Sequence, residues 1–96
     1  MHIIVDIDGT ICTKVKGDDY ASARPIAENI AKINRLYDEG NTIEYWTARG
    51  FTTGKDWMAL TLKQLSSWGC RFSSVSVRKK QYDLWIDDKC KRIEEA

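Results

Sequence analysis

The first ten residues constrain the fold of this chain more than any other stretch. Residues 2–10 read His-Ile-Ile-Val-Asp-Ile-Asp-Gly-Thr, and β-branched apolar side chains dominate positions 3–7. A short run of this kind is typical of a strand that is buried inside a sheet. The strand ends on Asp6 and Asp8, and the Gly-Thr pair after them predicts a turn. The chain therefore begins with a core strand that carries two carboxylates to its end.

Asp6 and Asp8 are two residues apart, so in an extended chain their side chains lie on the same side. Neighbouring carboxylates repel each other, and apolar surroundings raise the cost of burying them. A divalent cation would relieve both problems. The alternative is a surface turn with two solvated carboxylates, and the position of Asp6 between Val5 and Ile7 argues against it.

Length and composition favour one cytoplasmic domain spanning residues 1–96. Fifteen Lys and Arg against 14 Asp and Glu give a net charge of +1, which predicts no strong field toward nucleic acid or membranes. We expect no signal peptide and no bilayer-spanning run. The three cysteines are widely spaced and are interpreted as reduced thiols. The single histidine argues against Ser-His-Asp, Cys-His and zinc sites.

Three segments are predicted to be helices, and the last of them, residues 89–96, is short and mostly charged. The first follows Pro25, has apolar residues at helical spacing, and ends at Gly40. The second runs from about residue 55 to 68 and is stopped by Gly69. One of its faces is interpreted as core and carries Trp57, Thr61, Leu65 and Trp68.

Three further strands are predicted at residues 42–47, 72–77 and 82–88. Strands alternating with helices predict an α/β fold, a three-layer Rossmann-like sandwich whose mainly parallel sheet has the order 3-2-1-4. A parallel crossover normally takes about a dozen residues, and the third and fourth strands are closer than that in sequence. The third strand is therefore either short and irregular or not parallel.

In this order the first and fourth strands are neighbours, and open α/β sheets bind ligands where the strand order reverses. Asp6 and Asp8 end the first strand, and Asp87 and Asp88 end the fourth. Four carboxylates at one sheet edge predict a Mg²⁺ site.

Two other segments are less distinctive. Residues 11–24 show no period, are polar, and hold one large ring, Tyr20, so they are interpreted as a mobile flap or hairpin, with a plain surface loop as the alternative. Thr47 ends the second strand and Arg49 follows it, and taken locally they are better explained as a strand cap and a solvated surface charge.

Together these motifs resemble those of the haloacid dehalogenase (HAD) superfamily. Residues 6–10 (Asp-Ile-Asp-Gly-Thr) are similar to its DxDGT motif, Thr47 to its second motif and Lys79 to its third. Asp87 and Asp88 resemble its acidic fourth motif, so the resemblance spans residues 3–89 in family order. It implies a HAD-like catalytic domain with no inserted cap domain.

Residues 46–50 and 82–89 look most like small capless phosphatases associated with capsule and surface-polysaccharide genes. Those proteins usually have Gly-Lys-Pro where this chain has Arg78-Lys79-Lys80. The lysine of the third motif is therefore either Lys79 or Lys80, and the spacing to the last strand favours Lys79.

The resemblance implies hydrolysis of phosphomonoesters through an aspartyl-phosphate. Asp6 would be the nucleophile, Asp8 the general acid and base, and Thr47 and Lys79 would bind the phosphoryl oxygens. The implied Mg²⁺ ligands are the Asp6 carboxylate, the Asp8 backbone carbonyl and Asp88, with Asp87 acting through water.

The implied substrate is a small phosphorylated metabolite such as a sugar phosphate or capsule precursor. Its candidate contacts are Gly9, Thr10, Tyr20, Ala48 and Arg49. Two alternatives stay open: a nucleic-acid 3′-phosphatase domain, against which the near-neutral charge argues, and a non-catalytic module that binds Mg²⁺ or phosphate. Because no inserted domain covers the site, we expect a homo-oligomer in preference to a monomer.

Overall fold

A computed structural model describes residues 1–51, 53–76 and 84–86 of the chain. Its strands are β1 (His2–Asp6), β2 (Thr42–Trp46), β3 (Ser74–Ser76) and β4 (Leu84–Ile86). The helices are α1 (Ala27–Asp38) and α2 (Met58–Ser67), and a 3₁₀ turn spans Tyr20–Ser22. The predicted α/β fold with a parallel sheet is confirmed.

All the strand pairings are parallel. β1 lies between β2 and β4, and β2 also pairs with β3, so the strand order is β3-β2-β1-β4. Asp6 is in register with Trp46, the last residue of β2. The segments that follow β1 and β2 therefore leave the sheet side by side, at its carboxyl edge.

One face of the sheet holds the core. Paired residues of parallel strands share a face, so Val5, Tyr45 and Ile86 lie together. Ile30 and Ile33 of α1 and Leu65 of α2 belong to the same buried cluster. Both helices of the described ranges thus cover this face. Ile4 and Glu44 point to the opposite face and are also buried. Burial on both faces explains why the first strand is an unbroken apolar run.

The predicted ends of the helices follow local signals. Gly40 has a φ of 98° and donates its N–H to the Tyr37 carbonyl, which is the C′ glycine predicted for α1. α2 begins later than predicted because the Asp56 carboxylate accepts the N–H of Met58 at 2.9 Å. This local turn sets the start of the helix and leaves Trp57 in the N-cap position.

The third strand is short and parallel, three residues long against the six predicted. Its partner residues in β2 are Glu44, Tyr45 and Trp46. The predictions for Lys79, Lys80, Asp87 and Asp88, and that of a helix at residues 89–96, fall outside the described residues. Neither α-helix of the described ranges is both long and apolar enough to cross a bilayer.

Candidate active site

A tight turn after β1 presents Asp8. Gly9 has a φ of 85° and donates its N–H to the Cys12 carbonyl at 2.9 Å. The N–H groups of Thr10 and Ile11 both point back to the Ile7 carbonyl, at 3.2 and 3.1 Å. The positive φ favours glycine at position 9, where a Cβ would also require the flexible end of the Lys14 side chain to move.

Asp8 meets the residues that follow β2. The Thr47 hydroxyl donates to Asp8 Oδ2 at 3.3 Å and accepts the backbone N–H of Arg49 at 3.1 Å. Thr47 is only 2% exposed. The carboxyl ends of β1 and β2 therefore bring Asp8 and Thr47 into contact, although 39 residues separate them in sequence.

Arg49 is buried against the same carboxylate. Its Nε lies 3.2 Å from both oxygens of Asp8, and its Nη2 lies 2.9 Å from Oδ1. The Arg49 side chain is fully buried, whereas that of Asp8 is 25% exposed. The local interpretation of Arg49 as a solvated surface charge is therefore wrong, because a carboxylate far away in sequence compensates its burial.

Helix α2 holds the other side of the Arg49 guanidinium. Nη1 donates to Thr61 Oγ1 at 3.1 Å and to Gln64 Oε1 at 2.6 Å. The Tyr20 ring of the flap lies over the guanidinium, 4.7 Å from its central carbon. Every nitrogen of the Arg49 guanidinium is thus engaged by the protein itself.

A cleft of about 250 Å³ opens beside this cluster. It is lined by Asp8, Lys14, Val15, Gly17, Tyr20, Ala48 and Arg49. A second cleft of about 360 Å³ shares Gly17, Tyr20 and Ala48 with the first and extends to Trp57. The Trp57 ring packs edge to face on Tyr20, with the ring centroids 5.0 Å apart. The flap therefore lines both clefts, and the start of α2 lines the second.

Cys12 lies beneath the ion pair. Its sulfur is 3.6 Å from the Ile7 carbonyl, 3.8 Å from Asp8 Oδ1 and 4.0 Å from Arg49 Nη2. Burial, reinforced by the nearby Asp8 charge, raises the pKa of the Cys12 thiol to about 12. Cys12 is therefore a neutral thiol near pH 7 and serves as packing rather than as a nucleophile.

The structure brings some of the predicted site residues together and not others. Asp8, Thr47 and Arg49 form one cluster, and Tyr20 and Ala48 line its cleft. Asp6 is half-buried at the end of β1. Thr10 is 1% exposed, and its carbonyl accepts a hydrogen bond from Asn29.

Two α2 residues of the cluster were missed by sequence reasoning. Thr61 was interpreted as core, and Gln64 was not singled out. The signal was present, because Gln64 lies three residues after Thr61 on the helix stripe assigned to the core. An amide at such a position needs buried polar partners.

The acidic residues in the described part of the chain do not by themselves form a metal centre. No group of three or more His, Cys, Asp or Glu side chains that could hold a metal ion occurs among residues 1–51, 53–76 and 84–86. Asp6 and Asp8 are the acidic residues of the β1 end within these ranges.

One solved structure resembles this chain. It is the crystal structure of an MCSG target from Vibrio cholerae, which is 24% identical and aligns with a TM-score of 0.77. The alignment covers 98% of this chain and 85% of that chain. At this identity the likeness supports the α/β fold alone. No protein-family model matches the chain, and no curated protein does.

Proposed function

We propose that this protein is a Mg²⁺-dependent phosphatase of the HAD type, with a capless three-layer sandwich, that hydrolyses a small phosphomonoester through an aspartyl-phosphate on Asp6. One observation carries the proposal. Asp8, two residues after the half-buried Asp6, lines a small cleft and contacts the buried Thr47. The first two motifs of the resemblance thus meet at the sheet edge where parallel α/β folds bind ligands.

The chemistry assigned to these residues is a double displacement. In the first step an Asp6 oxygen bonds to phosphorus, the ester P–O bond breaks, and Asp8, which must enter this step in its protonated form, gives its proton to the leaving oxygen. In the second step water attacks phosphorus, Asp8 takes the water's proton, and the Asp6–phosphorus bond breaks to release phosphate. A carboxylate suits the first role because it is ionised at neutral pH and needs no activating base.

Arg49 and Thr47 orient Asp8 for this work. They contact both of its carboxylate oxygens, so its direction is fixed before substrate binds. The Thr47 hydroxyl has one proton, which it donates to Asp8 in this structure. Binding a phosphoryl oxygen would require that hydroxyl to turn away from Asp8.

The oxygen donors at the end of β1 fit a hard divalent cation. Arg49 and Thr47 engage the Asp8 carboxylate, so β1 would supply the Asp6 carboxylate and the Asp8 backbone carbonyl as ligands. Asp88 would complete the protein ligands, with Asp87 acting through water. When bound, Mg²⁺ would offset the repulsion between the Asp6 carboxylate and a phosphate dianion.

The clefts favour a compact substrate. Their volumes of about 250 and 360 Å³ lie just below and just above about 300 Å³, the lower bound for small-molecule sites. Tyr20 and Trp57 would form the wall facing the leaving group, and Lys14 adds a cation beside Asp8. A sugar phosphate is the class of leaving group that we favour.

The test is Mg²⁺-dependent phosphate release from a panel of sugar phosphates, other small phosphomonoesters and 3′-phosphorylated oligonucleotides. Asp6→Asn keeps the side-chain shape and removes the nucleophilic charge, so we expect activity to fall by more than roughly a thousandfold, with a melting temperature that matches the wild type when Mg²⁺ is absent. Activity of the purified variant near that of the wild type would refute the proposal. Release from oligonucleotides alone would favour the 3′-phosphatase, and no release from any substrate would favour the non-catalytic module.

A further inference from the structure

The side chain of Gln64, in α2, contacts both Arg49 and the backbone of Tyr20. Its Oε1 accepts a hydrogen bond from Arg49 Nη1 at 2.6 Å, and its Nε2 donates to the backbone carbonyl of Tyr20 at 2.7 Å. The Tyr20 ring in turn lies over the Arg49 guanidinium. The three residues thus form a closed loop of contacts between the flap, the β2 end and α2.

We propose that Gln64 is a positioning residue that couples the flap to Asp8. Tyr20 and the Asp8 carboxylate both contact the Arg49 guanidinium, so a displacement of one displaces the other. The catalytic part of this inference rests on the proposed function. The structural part, a hydrogen bond from the Gln64 amide that helps to hold the flap on α2, does not depend on any activity.

The chemistry of the two contacts requires an amide. Arg49 Nη1 can only donate and therefore needs an acceptor, while the Tyr20 carbonyl can only accept and therefore needs a donor. Glutamate of the same length supplies the acceptor alone, and leucine supplies neither group. The two partners also fix the orientation of the amide, because a flipped Gln64 would face donor to donor and acceptor to acceptor.

Burial raises the free-energy cost of losing these contacts. Gln64 is 8% exposed and Thr61 is 1% exposed, so water has little room to replace a lost partner. A buried donor or acceptor left without a partner carries its full desolvation cost. Removing the amide therefore takes one hydrogen-bond partner from the Tyr20 carbonyl, which keeps the Ala23 N–H, and one from Arg49 Nη1, which keeps Thr61 Oγ1. The flap also loses its hydrogen bond to Gln64.

The coupling runs through Arg49. Nε and Nη2 hold Asp8, and Nη1 is held by Thr61 and Gln64. Because the guanidinium is a rigid plane, a shift at Nη1 moves the nitrogens that orient Asp8. A change in the flap at Tyr20 reaches the Asp8 carboxylate by the same route.

The first experiment measures amide hydrogen exchange by mass spectrometry in the full chain. In the flap, the N–H groups of Ser22 and Ala23 bond to the Asp19 and Tyr20 carbonyls and report on local order. Gln64→Leu should raise their exchange rates by roughly tenfold or more relative to the wild type. Lys63→Leu is the matched control, because Lys63 is the preceding, exposed residue of α2, and it should leave the flap unchanged.

Gln64→Glu is nearly isosteric and covers the case in which Gln64→Leu fails to fold. It keeps an acceptor for Arg49 and loses the donor to Tyr20, so flap exchange should rise in this variant also. On a phosphomonoester that the wild type hydrolyses, Gln64→Glu should raise KM by roughly tenfold while kcat stays within about threefold. Gln64→Leu should lower kcat as well, because it releases the guanidinium that orients Asp8.

The outcomes separate the two proposals. Flap exchange that is unchanged in both variants, or raised equally throughout the chain, would overturn the role of Gln64. Equal losses of kcat in the Glu and Leu variants would overturn the coupling through Arg49. Absence of any phosphatase activity in the wild type would instead refute the proposed function, while the exchange result would still decide whether Gln64 anchors the flap.

Discussion

Arg49 binds Asp8 across 41 residues of sequence, through three N–H···O contacts of 2.9 to 3.2 Å. Its remaining nitrogen, Nη1, is engaged by α2. This arrangement supports Arg49 as a residue that positions Asp8 rather than one that contacts the substrate. In the proposed reaction, Lys79 and Mg²⁺ would have to balance the charge of the phosphoryl group.

The first prediction compares two arginines that each pair with an aspartate. Arg49→Lys cannot reproduce the forked contacts to Asp8, Thr61 and Gln64, so we expect the free energy of unfolding to fall by about 1–3 kcal/mol. In a domain of this size that loss lowers the melting temperature by roughly 5–20 °C.

Arg71→Lys is the matched control. Arg71 pairs with Asp38 at 2.7 Å, but both side chains are about half exposed, at 54% and 53%. Such surface pairs contribute roughly 0–1 kcal/mol, so this substitution should change stability little. Equal melting temperatures for the two variants would show that Arg49 is not the buried centre of the cluster.

Much of the fold could be predicted because its signals are local. The apolar run of β1 and the glycine after α1 each act within a few residues, and both predictions are confirmed. The boundaries that differ are those where a competing local contact is stronger than the periodic pattern. At the start of α2, the Asp56 turn shortens the predicted helix.

The site could be predicted only in part, because burial of a charge is decided by partners distant in sequence. Asp8 and Thr47 could be placed near each other from the rule that parallel strands end at one edge. The sequence around Arg49 does not indicate that a carboxylate 41 residues away accepts its hydrogen bonds. Gln64 is a similar case, since its partners come from the flap and from the β2 end.

A second prediction concerns the glycine beside Arg49. Gly50 has a φ of 81°, and a Cβ there would overlap the Lys55 carbonyl oxygen and lie 3.0 Å from the Trp57 ring. Gly54 has a similar φ of 75° but open space around it. Alanine at either position would have to adopt a positive φ, which costs about 1–2 kcal/mol. Gly50→Ala should lose roughly 1–3 kcal/mol more in urea unfolding, because of the overlap. Equal losses of unfolding free energy in Gly50→Ala and Gly54→Ala would contradict this account of the loop.

A third prediction follows from the raised pKa of the Cys12 thiol, which is about 12 in the folded protein. An unfolded thiol ionises near pH 8.5, so above that pH the unfolded state binds fewer protons than the native state. Stability should therefore fall from about pH 8.5 until pH approaches 12. Cys12→Ala should show a shallower decline of the unfolding free energy between pH 9 and 11. A slope as steep as that of the wild type would show that Cys12 does not carry this effect.

A fourth prediction concerns assembly. The expected homo-oligomer would need an apolar contact surface, and Phe51, in the segment between β2 and α2, is 79% exposed. Light scattering at micromolar concentration should give a multiple of the 11.1 kDa chain mass, and Phe51→Ser should lower that mass. A wild-type mass of one chain, kept with Mg²⁺ and phosphate present, would contradict the prediction and leave the flap as the cover of the site.

The last prediction tests the metal without relying on catalysis. A ligand that binds only the folded state raises its stability by RT ln(1 + [L]/Kd), so millimolar Mg²⁺ should raise the melting temperature of the wild type. Asp6→Asn and Asp88→Ala each remove a proposed carboxylate ligand and should abolish most of that rise. Asp87→Ala should reduce it less, because Asp87 is proposed to act through water.

Asp38→Asn serves as the control for the loss of a negative charge. Asp38 is exposed, lies at the end of α1 and pairs with Arg71, so the Mg²⁺-induced rise should be retained in this variant. A larger loss for Asp87→Ala than for Asp88→Ala would exchange the roles of the two residues. An undiminished rise in Asp6→Asn would remove Asp6 from the metal site. Because melting temperatures are measured without turnover, these conclusions do not depend on which substrate the clefts accept.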